Sequence, residues 1–125
     1  MILAILLFTY TACKDEDPKP GGGIAGVWTV DELGTLTNLK RYQVSIARST
    51  LDTNLYIIAN FYRMGYETEV FMELSDTVVT INGQYIGSTF VGGSGILKEG
   101  NKEIKMHYQV DQGNQTNELE ATFRR

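Results

Sequence analysis

From Ile24 onward, apolar and polar side chains alternate with a period of two, and this constrains the fold more than any other feature of the chain. In the clearest stretch Ile104, Met106, Tyr108 and Val110 fall on one side of an extended segment, with Lys105, His107, Gln109 and Asp111 on the other. Successive side chains of a strand point to opposite faces, so such a segment buries one face and wets the other. The same parity turns Tyr42, Val44 and Ile46 inward, then Val70, Met72 and Leu74, then Leu119, Ala121 and Phe123. Nothing here repeats at the helical period.

Strands are predicted near Gly26 to Glu32, Arg41 to Arg48, Asn54 to Arg63, Glu67 to Leu74, Thr77 to Ile81, parts of Tyr85 to Leu97, Glu103 to Asp111, and Asn117 to Arg124. Turn residues separate them at Met64-Gly65, Asn82-Gly83, Glu99-Gly100-Asn101 and Gln112-Gly113-Asn114. Asn82-Gly83 can take positive φ at both positions, as a tight type I′ hairpin requires. Leu55 to Phe61 is apolar on both faces except at Asn60, which predicts a central strand covered on both sides. The expected architecture is an all-β, antiparallel up-and-down meander of about eight strands closing into a barrel, with a β-sandwich as the alternative.

The segment before Ile24 has a different character. Ile2 to Phe8 is an uninterrupted apolar run, followed after Thr9-Tyr10 by Thr11-Ala12-Cys13. It is too short to span about 30 Å of hydrocarbon as a helix, but it suits the apolar core of a cleaved signal peptide. Thr-Ala-Cys resembles a lipobox, which implies cleavage after residue 12 and lipidation of Cys13. Residues 14–23 run from charged (Lys14-Asp15-Glu16-Asp17) to stiff (Pro18-Lys19-Pro20) to flexible (Gly21-Gly22-Gly23), the composition of a tether. The expected organisation is therefore a signal peptide over 1–12, a lipidated cysteine and linker over 13–23, and one folded domain over 24–125. The charged cluster after Cys13 also resembles the export signal of surface lipoproteins of the Bacteroidetes type, which implies the outer membrane and exposure at its surface.

Charge and cysteine content narrow the possible functions. The 125-residue chain has a net charge of −4, which disfavours a phosphate backbone as partner, so nucleic-acid binding is not expected. Cys13 is the only cysteine, leaving no intramolecular disulfide and no thiolate metal site. No metal and no cofactor is expected.

Gly26-Val27-Trp28 opens the first strand, and the meander ends at Arg124-Arg125. This pattern resembles the lipocalin and calycin barrels, whose Gly-x-Trp tryptophan closes one barrel end beneath an arginine from the end of the meander. The resemblance implies that Trp28 is the plug and Arg124 or Arg125 its partner. Gln84, Gly92-Gly93-Ser94-Gly95 and the 104–111 strand are similar to small lipocalin-like lipoprotein domains of unassigned function.

Residues that could carry chemistry are few. His107, the only histidine, lies on the polar face of its strand with no nucleophile paired to it in the sequence. Glu67 with Glu69, and Glu118 with Glu120, each place two carboxylates about 7 Å apart along one strand face. That is near a glycosidase separation, yet alternating outward glutamates also keep a barrel soluble and guard its edges. The glycines at 92, 93 and 95 lack the following helix that a phosphate loop needs, so they read as a bend or bulge. Asp76-Thr77-Val78 resembles an O-glycosylation pattern of exported Bacteroidetes-type proteins, implying sugar on Thr77.

The sequence thus leads to a noncatalytic, envelope-tethered binding domain with no catalytic residues and an unknown ligand site. Seven tyrosines and five phenylalanines accompany Trp28, and they either fill the barrel or line a pocket for a small apolar or glycan ligand. The alternative is a solid interaction or inhibitor module that docks an envelope protein through loops such as Leu51 to Asn54 or Gly87 to Ser94.

Overall fold

A computed structural model describes residues 23–98 and 100–125. The signal-peptide segment 1–12, Cys13 and linker residues 14–22 lie outside the described residues.

The described chain is a closed antiparallel barrel whose strands follow one another in sequence order. They are β1 (Gly26–Gly34), β2 (Lys40–Arg48), β3 (Leu55–Ala59), β4 (Glu69–Ser75), β5 (Val78–Ile86), β6 (Thr89–Lys98), β7 (Glu103–Asp111) and β8 (Thr116–Arg124). A short 3-10 turn, Phe61–Arg63, follows β3. Pairing of β1 with β8, from Thr29↔Arg124 to Gly34↔Leu119, closes the ring. Closure decides against a sandwich and leaves no strand edge unpaired along most of the wall.

Period-two alternation delivers the core as expected. Ile104, Met106, Tyr108 and Val110 are all buried, as are Val44 and Ile46, Val70, Met72 and Leu74, and Leu119, Ala121 and Phe123. Across the wall the inward residues form rungs: Leu97 pairs with Ile104, Ile104 with Phe123, and Phe123 with Val30. Gly93 and Gly95 also face inward, each under a large neighbour on β7. A Cβ at Gly93 would lie 2.5 Å from the Tyr108 Cα, and one at Gly95 would lie 2.5 Å from the Met106 Sδ. The bend predicted for this glycine cluster is thus a place where β6 lies bare beneath Tyr108 and Met106.

Three local expectations need correction. Asn82-Gly83 is not the hairpin turn; it sits inside β5 as an irregularity between the Ile81 and Gln84 pairings, and the turn is Gly87-Ser88, with Gly87 at φ +66°. Phe90 explains the glycine at 83: its Cζ would stand 2.5 Å from a Cβ there. Second, β3 stops at Ala59 because Asn60 turns left-handed at φ 68°. Third, β3 is not covered on both faces, since a closed ring has no central strand, and Leu55, Ile57 and Ala59 are half-exposed outside the wall.

Beyond the irregularity β5 leaves β4, which it pairs only through Glu73↔Thr80, Leu74↔Val79 and Ser75↔Val78. The Gln84 side chain spans part of the gap. Its Oε1 accepts from the Phe71 amide at 2.8 Å, and its Nε2 donates to the Phe71 carbonyl at 3.0 Å, standing in for a main-chain pair.

Candidate functional site

Trp28 lies inside the barrel near the end where β1 begins and β8 finishes. Its ring is fully buried, and its indole N–H donates to the Ile24 carbonyl at 2.9 Å. The guanidinium that covers the ring belongs to Arg125, 4.4 Å from the ring centroid, within cation–π range. Arg125 also donates to the Ala25 carbonyl at 2.8 Å and the Asn101 carbonyl at 3.0 Å. Burial lowers its pKa somewhat, and it stays a cation. Arg124 does not stand on the Trp28 ring: it has the other parity of β8, outside the wall, and reaches Asp31 at 3.4 Å. Asp31 also receives two hydrogen bonds from Arg41, at 2.7 and 3.1 Å, and that contact leads in holding its carboxyl below the usual range.

The opposite end holds the polar interior. Glu32 shares the inward parity of Trp28 and Val30 and is 2% exposed. Its Oε2 accepts hydrogen bonds from the Tyr42 hydroxyl, at 2.7 Å, and from the Tyr108 hydroxyl. Burial first, then the neighbouring carboxylate, pushes the Tyr42 hydroxyl far above the ordinary tyrosine range; burial dominates at Tyr108 as well. Tyr42 Oη in turn accepts from the Tyr62 amide at 3.1 Å, tying the buried carboxylate to the turn that roofs it.

That roof is the 3-10 turn. Phe61 enters the core, fully buried, with its ring 4.7 Å from that of Tyr108. Asn60, Tyr62 and Arg63 all have positive φ, 68°, 56° and 60°, a conformation costing about 1–3 kcal/mol each outside glycine. Contacts from the wall hold it. Asn60 Nδ2 donates to the Gln43 carbonyl at 2.8 Å, and Asn60 Oδ1 accepts from the Gly65 amide at 2.9 Å. Asn117, inward on β8 and 4% exposed, donates to the Tyr62 hydroxyl at 3.0 Å and to Thr37 Oγ1 at 3.1 Å, and accepts from the Leu36 amide at 2.9 Å. Glu32 and Asn117 are the functional-looking residues that a residue-type reading passes over, although strand parity alone places both inside.

Outside the wall, β6, β7, β8 and β1 form a shallow concavity of about 570 Å³. Leu33, Leu39 and Ile96 line it, 54%, 65% and 43% exposed, beside Asp31, Lys105, His107 and Glu120. At its margin the structure brings His107 to Glu118, 3.5 Å from Nε2 to Oε1, with Glu120 opposite His107 across the β7–β8 pair. All three stand in solvent. Glu67 and Glu69 do not form the other expected strand pair, because β4 begins at Glu69 and the Glu67 carboxylate folds back over Gly65. Thr77 is exposed in the β4–β5 turn. Among the described residues, no three His, Cys, Asp or Glu side chains gather as a metal site.

No protein-family model matches this chain. No curated protein matches it either. Among solved structures it is similar to a redesigned β-barrel, with a TM-score of 0.62 and 12% identity over 87% of this chain and 96% of that one. At that identity the likeness concerns the barrel alone.

Proposed function

We propose that the protein is a noncatalytic interaction module, lipocalin-like in build, held at the outer membrane by lipid on Cys13, which docks an envelope protein on the outside of its barrel. The observation that carries this reading is the amount of aromatic and aliphatic bulk turned into the interior. Every strand buries side chains there, and Trp28, Tyr56, Phe61, Tyr108 and Phe123 are the largest aromatic side chains among them. The wall concavity around Leu33, Leu39 and Ile96 combines apolar side chains with a charged rim, the usual anatomy of an interface. The exposed His107, Glu118 and Glu120 lack the enclosure that would make them an acid/base set.

The test is affinity capture from native membranes with the full lipidated chain, comparing Leu33→Arg and Ile96→Glu with Leu51→Arg, a control 86% exposed in the β2–β3 loop. A stoichiometric partner should stay with the parent and the control and disappear with the two wall variants. Capture indifferent to all three substitutions overturns the docking face. Saturable uptake of an apolar dye that shifts Trp28 emission would restore an interior ligand. For the anchor, Cys13→Ala should lose both the acyl mass and the membrane fraction.

A further inference from the structure

The end of the barrel away from Trp28 carries a second feature, on the outer face of β5, β6 and β7. Tyr85, Phe90 and Asp111 are consecutive cross-strand neighbours: Tyr85 pairs with Phe90, and Phe90 with Asp111. Neighbouring strands stand about 4.8 Å apart, so the carboxylate lies roughly one strand from one aromatic ring and two from the other. Tyr85 is 69% exposed and meets Phe90 edge to face, centroids 5.0 Å apart. Phe90 is seated on the bare backbone at Gly83, where any Cβ would collide with it. Asp111 is fixed as well, its Oδ1 accepting from the Gly113 amide at 3.0 Å. Together with Ser88 these residues line an open concavity of about 310 Å³.

We propose that this platform binds a neutral pyranose ring of a glycan. An aromatic face carries negative quadrupole density and attracts polarised C–H groups, while a carboxylate and a hydroxyl take hydrogen bonds from alcohols. A pyranose offers both at once, an apolar C–H face and hydroxyls around its rim, within a ring about one strand spacing wide. Anions are opposed by Asp111. An ammonium ion would stay hydrated on so open a surface, and a purely apolar group would leave Asp111 and Ser88 unanswered. The placement suits presentation, because the described chain enters the barrel at Ile24–Gly26, at the other end. This site is separate from the Leu33–Ile96 face and does not depend on the docking reading.

Saturation-transfer NMR on the full chain with maltotriose, chitotriose and choline as probes tests it. At least one of the two sugars should receive saturation, strongest at the C–H protons of one ring face, with a millimolar Kd. Tyr85→Ala should weaken binding about tenfold and Asp111→Asn about threefold, each with the parent's circular dichroism and Trp28 emission. If Tyr85→Ala perturbs the fold, Tyr85→Leu, which removes the ring face but keeps apolar bulk, should lose binding equally. No transfer from either sugar at about 5 mM overturns the proposal, as does transfer unchanged in Tyr85→Leu or transfer from choline alone.

Discussion

Replacing Glu32 by alanine removes the acceptor shared by two tyrosine hydroxyls, and the structure sets the scale of the loss. A buried hydroxyl left without a partner costs about 1–3 kcal/mol, so Tyr42 and Tyr108 together bound the effect at about 2–6 kcal/mol. Relief from no longer burying a carboxylate acts in the other direction. Tyr42, only partly buried, regains some hydration, whereas Tyr108 at 2% exposure does not. The expected net loss is about 3 kcal/mol. With a urea slope near 1.5 kcal/mol per molar, the unfolding midpoint, followed by Trp28 emission, should fall by about 2 M. Glu32→Gln, which keeps an acceptor and the side-chain volume, should lose less than half as much. A double-mutant cycle with Tyr108→Phe should give a coupling of about 1–2 kcal/mol. If Glu32→Ala lies within about 0.5 kcal/mol of the parent, or the two changes simply add, Glu32 does not organise this end of the barrel.

Arg125→Ala removes the stacked cation and two carbonyl contacts, so a destabilisation of about 1–2 kcal/mol and a shift in Trp28 emission are expected. Arg124→Ala should leave that emission unchanged. Gly93→Ala drives a methyl group into the Tyr108 backbone rather than a movable side-chain tip, and should cost about 3 kcal/mol or more in denaturant unfolding. Tyr42 and Tyr108 have raised folded-state pKa values, so the stability they confer is complete below pH ~10 and is lost as pH rises above the unfolded tyrosine value. Ultraviolet titration should therefore show both hydroxyls ionising only together with alkaline unfolding, and Tyr42→Phe should flatten that decline.

The barrel was legible because one physical rule, a wet face and a dry face alternating every residue, governs nearly every strand, so Ile104 to Val110 announces its own orientation. The rule was also sufficient for Glu32 and Asn117, which sit in step with Val30 and with Leu119. Their polar chemistry argued for the opposite face, and only the positions of Tyr42 on β2, Tyr108 on β7 and Tyr62 on the turn after β3 make burial affordable. Asn82-Gly83 satisfied the local chemistry of a hairpin turn. What it could not carry was the register with β6, which continues to Ile86↔Thr89 and passes the reversal to Gly87-Ser88. The roof at Phe61 was hidden for a related reason, because its left-handed backbone is maintained by contacts from β2 and β8 as well as by the Asn60–Gly65 bonds of its own loop. Choosing Arg125 over Arg124 likewise needed the parity of the last strand to be known to its final residue.

Gln84 gives the ring a consequence for behaviour in a crowded envelope. A closed barrel resists edge-to-edge association because no strand has unsatisfied amides to offer a neighbour. Between β4 and β5 that immunity rests on three residue pairs and one side-chain amide. Loss of the Gln84 carboxamide, by substitution or by slow deamidation to a carboxylate that can no longer donate to the Phe71 carbonyl, would uncover part of β4 as an adhesive strand. Amide exchange should be fastest along this arc, and self-association of aged or mutant protein should begin there.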